Sequence, residues 1–243
     1  MTELTFLGTG NFQAEGRYWN SFVLDGTVMV EPAPTVLPHL RRCGLPVAGI
    51  EVVVISHFHA DHVFGWPFFL LDAAHSGHGR TLHVVGPPGV ERHLQEMIEL
   101  GAVQVVGELA RSELDLRFVE VDGTWQDAGP LRFRAVEVVH VPHLRCFGYL
   151  LQWGSQVIGY SGDTTPCSGL SELAHHSDVL VLECNGSHPE GLVPVTHMDE
   201  AAVRALRSRH PDLPLVLTHL GGNVDASGME GVVVPEDFDR LTV

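Results

Sequence analysis

Val52-Val53-Val54-Ile55-Ser56-His57-Phe58-His59-Ala60-Asp61-His62 decides how this chain is read. An apolar, β-branched run, the composition of a buried strand, stops abruptly, and four polar metal-ligand types follow within six residues. His57 and His59 alternate along extended backbone, so both rings can point to one side. Asp61 and His62 follow as the chain turns into its next element. Imidazole nitrogen and carboxylate oxygen suit Zn²⁺ in catalytic sites, where at least one position stays open to water. A single histidine after a strand is usually structural, but this density at one strand end is not explained by packing.

Four residues cannot fill two metal spheres, so further ligand types are expected just past other apolar strands, where α/β folds place their chemistry. Three stand out. His140 follows Ala135-Val136-Glu137-Val138-Val139, Asp163 sits in Tyr160-Ser161-Gly162-Asp163-Thr164, and His219 ends Leu215-Val216-Leu217-Thr218. His143, three residues after His140, is an alternative to it, and His140 is preferred because it closes the apolar run.

Around these positions the chain is strand-rich. β-like runs are expected at Leu4–Leu7, Ser21–Leu24, Thr27–Val30, Val52–Ile55, Leu82–Val85, Leu116–Val121, Leu131–Val138, Gly148–Trp153, Val157–Tyr160, Val179–Leu182 and Leu215–Leu217. Helical patterns fall at Thr35–Cys43, starting near Pro34, and at Gly89–Leu100, Gly169–His175 and Met198–Arg209, the last with Thr196 as its N-cap. No repeat or linker interrupts the order, which predicts one domain over residues 1–243: two sheets face to face with helices outside.

With 14 basic and 30 acidic residues the net charge is −16, and every basic residue is arginine. That balance repels polyphosphate chains and counts against a large nucleic-acid substrate. The hydrophobic fraction of 44% supports a sizeable core, and no apolar run is long enough to span a bilayer. Cys43, Cys146, Cys167 and Cys184 form no C-x-x-C pair and read as reduced core thiols. With no basic n-region at the N-terminus, the expectation is a cytoplasmic protein with no membrane association.

The order His57-x-His59-x-Asp61-His62, then His140, Asp163 and His219, resembles the metallo-β-lactamase superfamily. Phe6-Leu7-Gly8-Thr9-Gly10 and the run around Asp163 are similar to its phosphodiesterase branch, which includes ribonuclease Z and the cyclic phosphodiesterases. The resemblance implies an α/β four-layer αββα sandwich of two mixed sheets and two divalent ions per chain, zinc first, with manganese or iron served by the same ligand types. His57, His59 and His140 would hold one ion, Asp61, His62 and His219 the other, and Asp163 would bridge them. Asp61 would also assist the attacking hydroxide held between the ions. Glu183 and His197 match the branch's helper residues, with His197 giving a proton to the leaving oxygen and Glu183 orienting its ring.

The implied activity is hydrolysis of a small or cyclic phosphodiester. Lactone, ester or thioester hydrolysis on the same metals is the alternative, since a lactonase would not need Glu183. A ribonuclease Z-type tRNA endonuclease ranks lower, because no long Gly/Pro-rich arm is visible and the charge is unfavourable; a non-catalytic metal-binding module ranks lower still. Relatives are often dimers, so a homodimer is an expectation. Glu31-Pro32 departs from the Asp followed by Cys or Gly of many relatives, at a position that supports the metal site from behind. Nine other histidines lack strand-end context and read as surface or packing residues, though His188 in the Gly- and Pro-rich stretch 186–194 is a candidate for the substrate mouth. Trp66 to Phe69 reads equally as pocket wall or core. The Gly8-Thr9-Gly10 run reads as a tight turn near the metals, since no G-x-G-x-x-G precedes a helix.

Overall fold

In a computed structural model of the chain, residues 1–76, 79–101, 114–186, 196–221 and 224–243 are described. The first half contributes β1 (Glu3–Gly8), β2 (Ser21–Leu24), β3 (Val28–Val30), α1 (Val36–Arg42), β4 (Val52–Val54), α2 (Ala60–Val63), α3 (Trp66–His75), β5 (Leu82–Gly86), α4 (Val90–Leu100) and β6 (Leu116–Glu120). The second contributes β7 (Trp125–Ala128), β8 (Leu131–Val138), β9 (Cys146–Trp153), β10 (Gln156–Tyr160), α5 (Ser168–His176), β11 (Val179–Glu183), α6 (Glu200–Arg209) and β12 (Leu215–Thr218). Two short strands follow, β13 (Val232–Val233) and β14 (Arg240–Thr242).

Two seven-stranded sheets result, in the orders β14-β1-β2-β3-β4-β5-β6 and β13-β12-β11-β10-β9-β8-β7. Each is mixed: β3 to β6 and β10 to β13 run parallel, while the remaining pairs are antiparallel. Strand alternation makes the layers. In β4, Val52 and Val54 face the space between the sheets and pack with Phe133, Tyr149 and Val181, while Val53 faces the outer layer of α1, α3 and α4. In β11, Val179 and Val181 face inward and Leu180 and Leu182 pack under α5 and α6. The expected αββα sandwich is thus built from three apolar layers. The same period of two places Glu183, at the end of β11, on the inward face.

Several local expectations are corrected. Helix α6 starts at Glu200 rather than Met198, and its N-cap is Asp199, whose carboxylate accepts from the Ala202 backbone N at 2.7 Å; Thr196 is not the cap. Helix α1 starts at Val36, two residues beyond Pro34. Trp66 to Phe69 opens the unforeseen helix α3, with Trp66 and Phe69 fully buried in the outer core layer, so it does not wall the site. His188 lies outside the described residues. The four cysteines are unpaired, as expected.

The Gly8-Thr9-Gly10 run is a close approach of two chain segments. A Cβ at Gly8 would lie 2.1 Å from the Trp19 carbonyl oxygen. Gly10 N donates to the Tyr18 carbonyl at 2.7 Å, and Asn11 N donates to the Leu220 carbonyl at 2.9 Å. Gly8→Ala should therefore destabilise the fold by about 1–3 kcal/mol, because backbone rather than a flexible side chain must move. Urea titration checks this, and an unchanged midpoint would show that the segments separate easily.

Candidate metal centre

Every ligand candidate sits at or just past a strand end on one edge of the sandwich. His57, His59, Asp61 and His62 follow β4 and enter α2, His140 follows β8, Asp163 follows β10, and His219 follows β12. The structure brings all seven together. Donor atoms of His57, His59, His140 and Asp163 lie within 4.8 Å of one another, as do those of Asp61, His62 and His219. Asp163 lies between the groups, with Oδ2 3.7 Å from His57 Nε2, 3.8 Å from His140 Nε2, 3.4 Å from His62 Nε2 and 3.5 Å from His219 Nε2. His143 is exposed and outside the cluster, whereas His140 is buried within it.

The ring orientations are set from behind. His140 Nδ1 donates to the Thr196 carbonyl at 2.8 Å, which leaves Nε2 as a lone pair facing His59 Nδ1 at 3.3 Å. Ser56 Oγ lies 2.9 Å from His57 Nδ1, so His57 Nε2 turns inward, 2.9 Å from His59 Nδ1. Imidazole nitrogens this close face one another in a space short of donors. Both ring nitrogens of His62, Nδ1 of His219 and Oδ1 of Asp163 are buried without a hydrogen-bond partner. Buried polar atoms are rarely left so; of these, His62 Nε2 lies within the cluster, 3.4 Å from Asp163 Oδ2, and imidazole nitrogens and carboxylate oxygens gathered there fit divalent cations. The residues present therefore fit the implied ions.

Electrostatics point the same way. Burial pushes the His57 imidazolium well below its ordinary range, aided by the neighbouring His62, so its ring is held neutral. Burial alone would raise the Asp61 and Asp163 carboxyls, but the surrounding histidines outweigh it and hold both well below the usual carboxylate range. At His62 burial alone would lower the imidazolium, but the carboxylates of Asp163, Asp61 and Glu31 outweigh it and hold the imidazolium well above its ordinary range. A cation bound there takes the place of that proton, leaving the neutral imidazole and ionised carboxylates that bind metal.

Beneath the ligands runs a polar network that the sequence did not disclose beyond Glu31. Thr218 Oγ1 donates to Asn20 Oδ1 at 2.5 Å, and Asn20 Nδ2 donates to Tyr160 Oη at 2.9 Å. Tyr160 Oη donates to Glu31 Oε1 at 3.1 Å, and Glu31 also accepts from Ser56 N at 3.1 Å. Its Oε1 lies 3.5 Å from His62 Nδ1. Glu31 and His219 both hold positive φ, at 60° and 51°, in a region that non-glycine residues seldom adopt. Glu31→Ala should weaken metal affinity about 10–100-fold by releasing His62. Competition against a chelator checks this, and unchanged affinity would reduce Glu31 to a packing role.

Beside the ligands, His197 Nδ1 lies 2.9 Å from Glu183 Oε1, and that oxygen also accepts from Thr164 N at 2.6 Å. Glu183 is buried at the end of β11, and His197 borders a cavity of about 740 Å³ over the cluster. His197 also lies near enough to Asp163 and His219 to form a third group of donor atoms within 4.8 Å.

The sequence profile described as the β-lactamase superfamily domain matches residues 26–220. Ribonuclease Z of Listeria welshimeri is 22% identical over 283 aligned positions, covering 96% of this chain and 92% of its own. The crystal structure of human tRNase Z, short form, superposes with a TM-score of 0.74 at 20% identity, covering 99% of this chain and 98% of that one. A diphosphatase from the PhnP family superposes with a TM-score of 0.75 at 19% identity, covering 100% and 98%. Structural likeness at such low identity speaks for the fold rather than the activity. With the profile spanning most of the sequence and the two-sheet sandwich in place, this chain belongs to the β-lactamase superfamily domain family and has the metallo-β-lactamase fold.

Proposed function

We propose that this metal-dependent hydrolase cleaves a small phosphodiester. The observation that carries the reading is the Glu183–His197 pair, 2.9 Å apart, with His197 on the wall of the cavity over the ligand cluster. A thioester releases a thiolate that departs without a proton, whereas an alkoxide leaving phosphorus is expelled far more readily when a positioned acid supplies one. Held by His57, His59 and His140 on one side and Asp61, His62 and His219 on the other, with Asp163 between, divalent ions would acidify water and offset the charge that builds on phosphoryl oxygens.

The chain's own residues supply the rest. Asp61, also on the cavity wall, accepts a hydrogen bond from the attacking water and aligns it. As the water oxygen bonds to phosphorus and the bond to the leaving oxygen breaks, His197 passes a proton to that oxygen. Glu183 fixes the His197 ring and balances its charge while protonated.

A second reading, tRNA 3′ processing, draws support from the ribonuclease Z relatives. It is placed below the first because the chain carries −16 net charge and no arginine lines the cavity among the described residues. A small-molecule substrate, no stable contact with long nucleic acid and a homodimeric state remain part of the proposal. Among the described residues no helix is long and apolar enough to cross a membrane.

The test is elemental analysis of the purified protein, with the same sample assayed on bis(p-nitrophenyl) phosphate, a lactone, a thioester and a precursor tRNA. The expected result is about two ions per chain and phosphodiester turnover. Turnover of only the lactone or thioester would keep the site and discard the phosphodiesterase. Efficient tRNA cleavage would promote the second reading, and absence of stoichiometric metal would overturn both.

A further inference from the structure

The cavity over the ligand cluster has a rim that metal chemistry does not require. Phe12, Trp19, Pro34, Phe64 and Val141 form it, with the ligand histidines and aspartates below. Phe12 is 63% exposed and Phe64 54% exposed. Large aromatic side chains grouped at the mouth of a polar site, rather than scattered singly, mark a binding surface.

The rim is also tied to the ligands. Phe12 follows Asn11, whose backbone N donates to the carbonyl of Leu220, the residue after His219. Trp19 belongs to the segment that bridges to Gly10, while Gly10 itself bridges to Leu220. Phe64 closes α2, directly after the turn that carries Asp61 and His62, with its N donating to the Ala60 carbonyl at 3.0 Å. The aromatic side chains that line the cavity are thus held by the segments that hold the ligands.

Charge narrows what the rim can take. Among the described residues that line the cavity there is no arginine, and the chain contains no lysine. A second phosphate on the substrate would meet no side-chain cation there, whereas a flat uncharged ring would bury apolar area against Phe12, Trp19 and Phe64. We infer that this rim binds a flat aromatic group, an aryl or nucleobase ring, attached next to the scissile phosphate, and that Phe12, Trp19 and Phe64 determine substrate specificity. This rests on the phosphodiesterase reading for the phosphate itself.

Two measurements on the metal-loaded full chain test it. Calorimetric titration with phenylphosphonate and with methylphosphonate should show the phenyl compound binding about tenfold more tightly, the scale of one aromatic stack. Phe12→Ala and Phe64→Ala, both at exposed positions where folding is not at stake, should each cut that preference to about threefold or less. Kinetically, p-nitrophenyl phenyl phosphate and methyl p-nitrophenyl phosphate share a leaving group. Their kcat/KM ratio should be about ten in the wild-type chain and fall in both variants.

Equal affinities for the two phosphonates, no binding of either, or a preference that survives both substitutions would overturn the aromatic site. An aryl preference in binding with no turnover of either diester would keep the site and discard the phosphodiesterase. Equal binding with turnover of both diesters would do the reverse.

Discussion

Asp163→Ala is expected to lose metal and activity together: less than one ion per chain after purification, and kcat/KM reduced by at least about 10³-fold. Asp163 Oδ2 lies within 3.4–3.8 Å of four histidine Nε2 atoms drawn from both ligand groups, so its loss removes charge from both at once. Loss of any single histidine would leave one group intact. A collapsed fold would mimic this result, so melting is measured with and without chelator. Bound ions stabilise the folded chain by mass action, worth about 3–4 kcal/mol at concentrations a hundredfold to a thousandfold above Kd. The wild-type Tm should drop on chelation, whereas the Tm of a folded Asp163→Ala should not move. Asp163→Asn keeps the volume and should behave the same way. Two retained ions with wild-type turnover would break the bridging assignment.

The ligand cluster was legible in the sequence because strand alternation and strand ends are local. His57 and His59 differ by two positions after a buried strand, and Asp163 and His219 each follow an apolar run, so each could be placed without knowing its neighbours. The preference for His140 over His143 rested on the same reasoning, and the structure puts His140 with His59 and leaves His143 in solvent. Helix α3 was hidden for the opposite reason. Trp66-Pro67-Phe68-Phe69-Leu70-Leu71 is apolar on nearly every side, and a short apolar run does not distinguish a buried helix from a strand. Strand β7, with Trp125-Gln126-Asp127-Ala128, has no alternation of its own and exists through pairing with β8.

The aromatic rim and the Asn20–Tyr160–Glu31 network depend on contacts between residues far apart in sequence. Asn20 meets Tyr160 across 140 positions and Thr218 across 198. No local pattern announces such partners. Thr196 and Asp199 are both N-capping types, so composition does not choose between them for α6, and only the backbone shows that Thr196 serves His140 through its carbonyl instead.

His197→Ala separates a proton donor from a third metal ligand, since the geometry admits both: its donor atoms fall within 4.8 Å of Asp163 and His219, yet Nδ1 faces Glu183 at 2.9 Å. As donor, His197 should be dispensable for metal, so ion content stays at the wild-type level while kcat falls about 10²–10⁴-fold on a diester with an alkoxide leaving group. The loss should be much smaller on a p-nitrophenolate, which departs without a proton. A ligand role predicts loss of an ion and an equal penalty on both substrates. Glu183 is 1% exposed, and burial together with the Asp163 charge pushes its carboxyl well above the usual range. Cations at the ligand cluster would act in the opposite sense on Glu183 and favour its carboxylate, which then offsets the burial and the added positive charge that hold the His197 imidazolium below its ordinary range. Glu183→Gln should therefore cost less than His197→Ala and add little to it in the double variant, because a residue acting only through another has nothing left to act upon. Additive losses would instead give Glu183 its own contact with the substrate.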